Sequence, residues 1–158
     1  MRYAYPCNIV RDDEEARASG RDAYNVDFPD VYGANTGGWS WEEALSMAED
    51  CLGVALGMCI KAHEDIPAPS PLAEGQVLIS VAPIVAAKLA LYTAMREQGV
   101  TIVALADRLG LQENAVRRLI DPGHRSHITS VEKALGVVGR SLIVEDRPRS
   151  SIAESLLL

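Results

Sequence analysis

The chain has 158 residues, enough for one domain or two small ones, and 48% of them are apolar, enough to fill packed cores. No apolar run approaches the roughly 18 residues of a membrane-crossing helix, and the opening MRYAYPCNIVRDDEEA lacks the apolar centre of a secretory signal, so the chain is expected in the cytoplasm. The net charge of −7 is unevenly spread: residues 1–75 carry 5 basic and 14 acidic side chains, residues 84–147 carry 9 and 7. An acidic half is repelled by phosphate and attracted to a basic protein, whereas a mildly basic half tolerates a phosphate backbone.

Arg2–Arg11 alternates Tyr3, Tyr5, Cys7 and Ile9 with Arg2, Ala4, Pro6 and Asn8, the period of a strand. Pro6 has no N–H to give a ladder, which predicts an edge strand or a bulge. Asp12–Gly20 reads as a charged hairpin connection, with Asp12, Asp13, Glu14 and Glu15 in a solvated loop. A second strand is expected over Asp22–Phe28, with Tyr24, Val26 and Phe28 on one face, leaving by a turn through Pro29-Asp30-Val31-Tyr32-Gly33. Gly37-Gly38 then leads into Trp39.

Ser40-Trp41-Glu42-Glu43 is a capping box, and the apolar stripe behind it predicts one long helix to His63. Gly53 and Gly57 weaken such a helix by about 1 kcal/mol each relative to Ala; close approach to the sheet is the expected reason. Ile66–Gly75, with three prolines, is an extended connection, and Gln76–Val81 is a further strand. Pro83 suits a first helical turn, Ile84–Gln98 is a helix, and Gly99 ends it. These elements place an αβ domain over residues 1–82 and a helical domain over 83–146, with a tail over 147–158.

Thr101–Asp121 organises the second half. Ile102, Leu105, Ala106 and Leu109 recur at helical spacing, and Gly110 permits the left-handed backbone that ends a helix. A second helix over Gln112–Ile120 turns Val116 and Leu119 inward, with Leu111 also expected in the core, and Asp121-Pro122-Gly123 stops it. This is the spacing of a DNA-binding helix-turn-helix. The outer face of the second helix offers Gln112, Glu113, Asn114, Arg117 and Arg118; Gln and Asn can pair bidentately with adenine, and Arg with guanine. Arg125 and Ser126 in the following loop are candidates for phosphate contact. Thr129–Leu135 reads as one more helix, capped by Ser130.

His124 and His127 have no third ligand nearby, and Cys7, Cys51 and Cys59 lack metal-ligand spacing, so no metal, cofactor or catalytic group is expected.

The first half resembles HicB antitoxins of bacterial toxin–antitoxin pairs. The residues that carry the resemblance are Tyr24–Phe28 with Pro29-Asp30, then Gly33-Ala34-Asn35-Thr36-Gly37-Gly38, then Ser40-Trp41-Glu42-Glu43-Ala44 opening the long helix. Their order extends the resemblance over roughly Arg2–Asp146. It implies an α+β fold: a small antiparallel sheet with a long helix, like a partial ribonuclease H fold without an active site, followed by an all-α helix-turn-helix domain. It also implies an antitoxin that binds a small basic mRNA-cleaving toxin of the HicA type and represses its own operon as a homodimer or higher oligomer on operator double-stranded DNA. By the same analogy Tyr24, Asp27, Phe28, Asp30 and Tyr32 would face the toxin. Two other readings stand beside this one. One is a one-component regulator whose first domain senses a small molecule. The other is a metal-dependent nuclease using Asp12, Asp27 and Asp30.

Overall fold

A computed structural model of the chain describes residues 3–145. The tail expected over 147–158 lies outside them. In chain order the elements are β1 (Ala4–Arg11), α1 (Asp13–Ser19), β2 (Tyr24–Asp27), β3 (Asn35–Gly38), α2 (Trp41–Lys61), β4 (Val77–Ser80), α3 (Pro83–Glu97), α4 (Ile102–Leu109), α5 (Glu113–Ile120) and α6 (Ile128–Val137). The fold class is α+β, with an antiparallel sheet ordered β3-β2-β1-β4 and a helical C-terminal region. Tyr3–Ala55 and Pro67–Val81 form one compact unit; Leu56–Ile66 and Ala82–Glu145 form the other.

The sheet unit corrects three expectations. First, Asp12–Gly20 contains a helix. The Asp12 carboxylate accepts from the Glu14 and Glu15 amides (3.1 and 2.9 Å), and Asp13, Glu14 and Glu15 put negative charge where the helix dipole favours it. The run of acids that suggests a solvated loop is therefore a helix start. The Glu15 amide and then the Asn25 side chain hold the Asp12 carboxyl below its ordinary range.

Second, β1 is an interior strand despite Pro6. Its first half pairs with β4, Ala4↔Ser80 to Cys7↔Val77, and its second half with β2, Asn8↔Asp27 to Arg11↔Tyr24. The Val81 N–H donates to the Tyr3 carbonyl (3.2 Å), so odd residues of β1 turn their backbone groups towards β4. The Pro6 nitrogen thus faces the β2 side, where pairing starts only at Asn8. A local edge inside the sheet costs Pro6 no ladder bond.

Third, Gly53 has open space where a Cβ would stand, and a Cβ added at Gly57 would meet Pro122 at an ordinary 3.6 Å, so neither glycine is needed for a close approach to the sheet. The close approach is made by Gly38, whose added Cβ would fall 2.5 Å from the Ala44 nitrogen. The capping box forms as expected on one side, with the Glu43 amide donating to Ser40 Oγ (3.1 Å). Its carboxylate, however, accepts from the Trp39 N–H (2.7 Å), one residue earlier than the simple box. On the covered face of the sheet Tyr5, Cys7, Val26 and Ile79 are buried, as are Ala44, Ala48 and Leu52 at helical spacing on α2. Burial, and secondarily Asp27, pushes the Cys7 thiol up to about 12, so it behaves as a small apolar group.

In the helical unit α3 starts at Pro83, as its position in a first turn predicts. Leu91, Met95, Leu105, Ala106, Val116, Leu119, Val131 and Leu135 share one core. The segment after α2 is tied to α3: Tyr92 Oη donates to the Glu64 carbonyl (2.8 Å), and the Arg96 guanidinium donates to Asp65 (2.6 Å) and to the His63 carbonyl (2.8 Å). The last helix starts at Ile128 after His127, with no side-chain cap, so Ser130 sits inside the helix rather than capping it.

Candidate nucleic-acid and partner interfaces

Thr101 caps α4 by accepting from the Ala104 amide (3.1 Å). Gly110 takes φ 65°, the left-handed conformation that lets the Leu111 N–H return to the Ala106 carbonyl (2.9 Å). That bond closes α4 and starts α5 after a turn of Gly110, Leu111 and Gln112. Leu111 does not enter the core, however; its side chain is 45% exposed. The helix-closing bond uses its backbone and leaves its side chain on an open concavity with Val103, Asp107, Gln112, Glu113 and Asn114.

Val116 and Leu119 are buried and Ile120 packs partly against the same core, so the opposite side of α5 is its outer face. Gln112, Glu113, Asn114, Arg117 and Arg118 are all exposed there, together with Arg125 in the next loop. Arg117 is partly engaged by Glu113 one turn earlier (3.3 Å). Among the described residues Arg118 forms no ion pair, and its guanidinium projects from the last turn of α5.

Sequence reading misses Lys88. It is 0% exposed, in the middle of α3. Its ammonium donates to the carbonyls of Arg118 (2.9 Å), Asp121 (2.7 Å) and His124 (2.6 Å) and to Ser126 Oγ (2.9 Å). Burial pulls its pKa below the ordinary lysine value, with the Asp121 carboxylate opposing. Ser126 is half-buried, and its hydroxyl lies 3.3 Å from the Arg118 carbonyl as well as against Lys88, so it serves this junction in the free chain. The only signal in the sequence is one lysine inside the apolar run IVAAKLAL.

The five candidate toxin-facing residues fall into different settings. Tyr32 is fully exposed in its turn. Asp27 lies on the open face of the sheet and accepts from Asn8 Nδ2 (2.9 Å), whose own carbonyl accepts from Gln76 (3.1 Å). Asp30 accepts from the Ser70 amide (2.8 Å) and hydroxyl (3.0 Å), pinning the proline-rich connection. Tyr24 packs edge-on against Trp41 at 5.9 Å, and Phe28 is buried. Val10 and Leu78, which the sequence reading passes over, are exposed on the same open face as Asp27.

Asp12, Asp27 and Asp30 each have separate partners, and among the described residues no group of three or more His, Cys, Asp or Glu is placed to hold a metal ion. The concavity on α4 and α5 and another lined by Arg11, Asp13, Arg17 and Asp22 are open and largely polar, unlike the enclosed apolar pocket that small-molecule sensing needs. No helix among the described residues is long and apolar enough to cross a membrane.

Comparison with known proteins bears on these surfaces. Residues 4–90 match the family described as the HicB-like antitoxin of bacterial toxin–antitoxin systems. The chain is 36% identical over 119 residues to Antitoxin HicB 1 of Photorhabdus laumondii subsp. laumondii, covering 75% of this chain and 76% of that one. The chain belongs to the HicB antitoxin family. Antitoxin HicB of Escherichia coli (strain K12) is 34% identical over 119 residues, 75% of this chain and 86% of the relative, and Antitoxin HicB of Pseudomonas fluorescens is 34% identical over 120 residues, 75% and 80%. The HicB family match spans all four strands of the sheet and ends inside α3, before the two helices of the candidate nucleic-acid surface.

Proposed function

We propose that this HicB-family chain neutralises a small basic mRNA-cleaving toxin of the HicA type through its sheet unit and represses its own operon by placing α5 in the major groove of operator DNA. The observation that carries the DNA half is the composition of α5: a buried side of Val116 and Leu119 and an outer side of Gln112, Asn114, Arg117 and Arg118. Helices of this kind present their N-terminal residues to base edges and read paired half-sites as dimers. Arg125 extends the surface towards phosphate. Family membership supports the toxin half, and the acidic balance of residues 1–75, with Asp27 and Tyr32 exposed on the sheet unit, suits a basic partner.

The test is co-expression with the small basic protein encoded beside this gene, with the tag on that protein alone. A stoichiometric complex that also shifts the upstream promoter supports both halves. Promoter binding without a complex removes the antitoxin half. Arg118→Ala is expected to weaken promoter binding by about 1–3 kcal/mol, the worth of one bidentate base contact; an unchanged gel-shift titration would take Arg118 off the reading surface. Tyr32→Ala is expected to weaken toxin capture by about 2 kcal/mol, as for an exposed aromatic anchor, with the thermal midpoint of the free chain unmoved. Wild-type affinity in calorimetry would place the toxin elsewhere.

A further inference from the structure

We infer that Lys88 is the positioning residue for operator reading, the group that fixes where the end of α5 and the His124–Ser126 loop stand against α3; this rests on the DNA-binding reading above. Arg118 and Arg125 are the exposed cations nearest this junction in sequence. The carbonyl of Arg118 and the residues flanking Arg125, His124 and Ser126, are the groups that the ammonium holds, at 2.6–2.9 Å. The last carbonyls of a helix have no partner within it, and a cation there also meets the negative end of the helix dipole. A lysine with three N–H groups facing four oxygens can hold such a junction only in a narrow range of geometry, because each donor is committed. The ammonium is completely buried and cannot touch DNA, so its contribution to binding must act through Arg118 and Arg125.

A positioning role makes a prediction that a purely structural one does not. Phosphate attraction is tolerant of small displacements, whereas bidentate base contacts are not. Loss of Lys88 should therefore lower affinity for the promoter selectively. The experiment compares the full-length chain with Lys88→Met and Ser126→Ala. Each is titrated against a duplex spanning the upstream promoter and a scrambled duplex of equal length, at one salt concentration and well below its own unfolding midpoint. Lys88→Met is expected to lose about 10-fold or more on the promoter duplex, the scale of a misplaced base contact, and less than about 3-fold on the scrambled one. Ser126→Ala, which removes one of the four oxygens and leaves the cation paired, should lose several-fold on the promoter duplex only.

Equal losses on both duplexes would overturn the proposal, because reduced folding or a lost phosphate contact acts without regard to sequence. So would unchanged affinities. If Lys88→Met does not fold, Ser126→Ala decides by the same criterion. A wild-type chain with no preference for the promoter duplex would overturn the DNA-binding reading itself, and that control separates the two failures.

Discussion

Gly38→Val is expected to destabilise the sheet unit by about 3 kcal/mol, the upper end of what overpacking costs. An added Cβ would stand 2.5 Å from the Ala44 nitrogen and 2.9 Å from both Ala44 Cα and Glu43 C. All three are backbone atoms in the first turn of α2, so no side chain can swing aside to relieve the contact. Relief requires β3 to move off the helix, which threatens the bond from the Trp39 N–H to Glu43 (2.7 Å) and the pairing of Tyr24 with Gly38. The chain's two tryptophans, Trp39 and Trp41, flank this junction, so urea unfolding followed by tryptophan fluorescence reads it directly. Gly53→Ala is the matched control. With nothing within 4 Å of its Cβ and a helical backbone, it should gain up to about 1 kcal/mol. A wild-type midpoint for Gly38→Val would mean that β3 does not lie against α2 as described.

Leu105→Ala is expected to cost the helical unit about 2–5 kcal/mol, whereas Leu111→Ala should cost less than about 1 kcal/mol. Leu105 is fully buried in the core formed with Val116, Leu119, Val131 and Leu135, and truncation leaves a cavity that helices on several sides cannot jointly close. Leu111 is nearly half exposed and loses little. Both tryptophans lie in the sheet unit, so the measurement is far-UV circular dichroism in urea rather than fluorescence. Equal costs at the two positions would restore Leu111 to the core. Comparable stability of Leu105→Ala and wild type would mean that Leu105 does not sit in this core as described.

These two pairs also mark where sequence reasoning reaches its limit. Hydrophobic spacing placed Leu105 and Leu111 alike on the inside, because both lie where an apolar residue is wanted. Only the closing bond from the Leu111 amide to Ala106 shows that the backbone is used while the side chain stays out. The reading of Gly53 and Gly57 expected the correct kind of contact, a helix backed tightly against a strand, at the wrong glycines. A glycine's composition signal is the same wherever its missing Cβ would point. For the candidate toxin surface, alternation placed Tyr24, Val26 and Phe28 on one face, but burial separates Phe28 from the exposed Tyr32 and Asp27.

Elements governed by neighbours in the chain are legible from the residues alone. These are the capping serine of α2, the proline that opens α3, the left-handed Gly110 that ends α4, and the polar face of α5. Each depends on contacts within about one helical turn, so spacing alone encodes it. The motif order around Phe28, Gly37-Gly38 and Glu42-Glu43 was enough to indicate the family. Tertiary structure alone decided that Pro6 could enter an interior strand, because the offset between β2 and β4 leaves its nitrogen beside a local edge. It alone decided that Lys88 would be buried, because its four oxygens lie 30 to 38 residues away along the chain. A buried cation is tolerable only once those partners converge, and no pattern of neighbouring residues can specify that convergence.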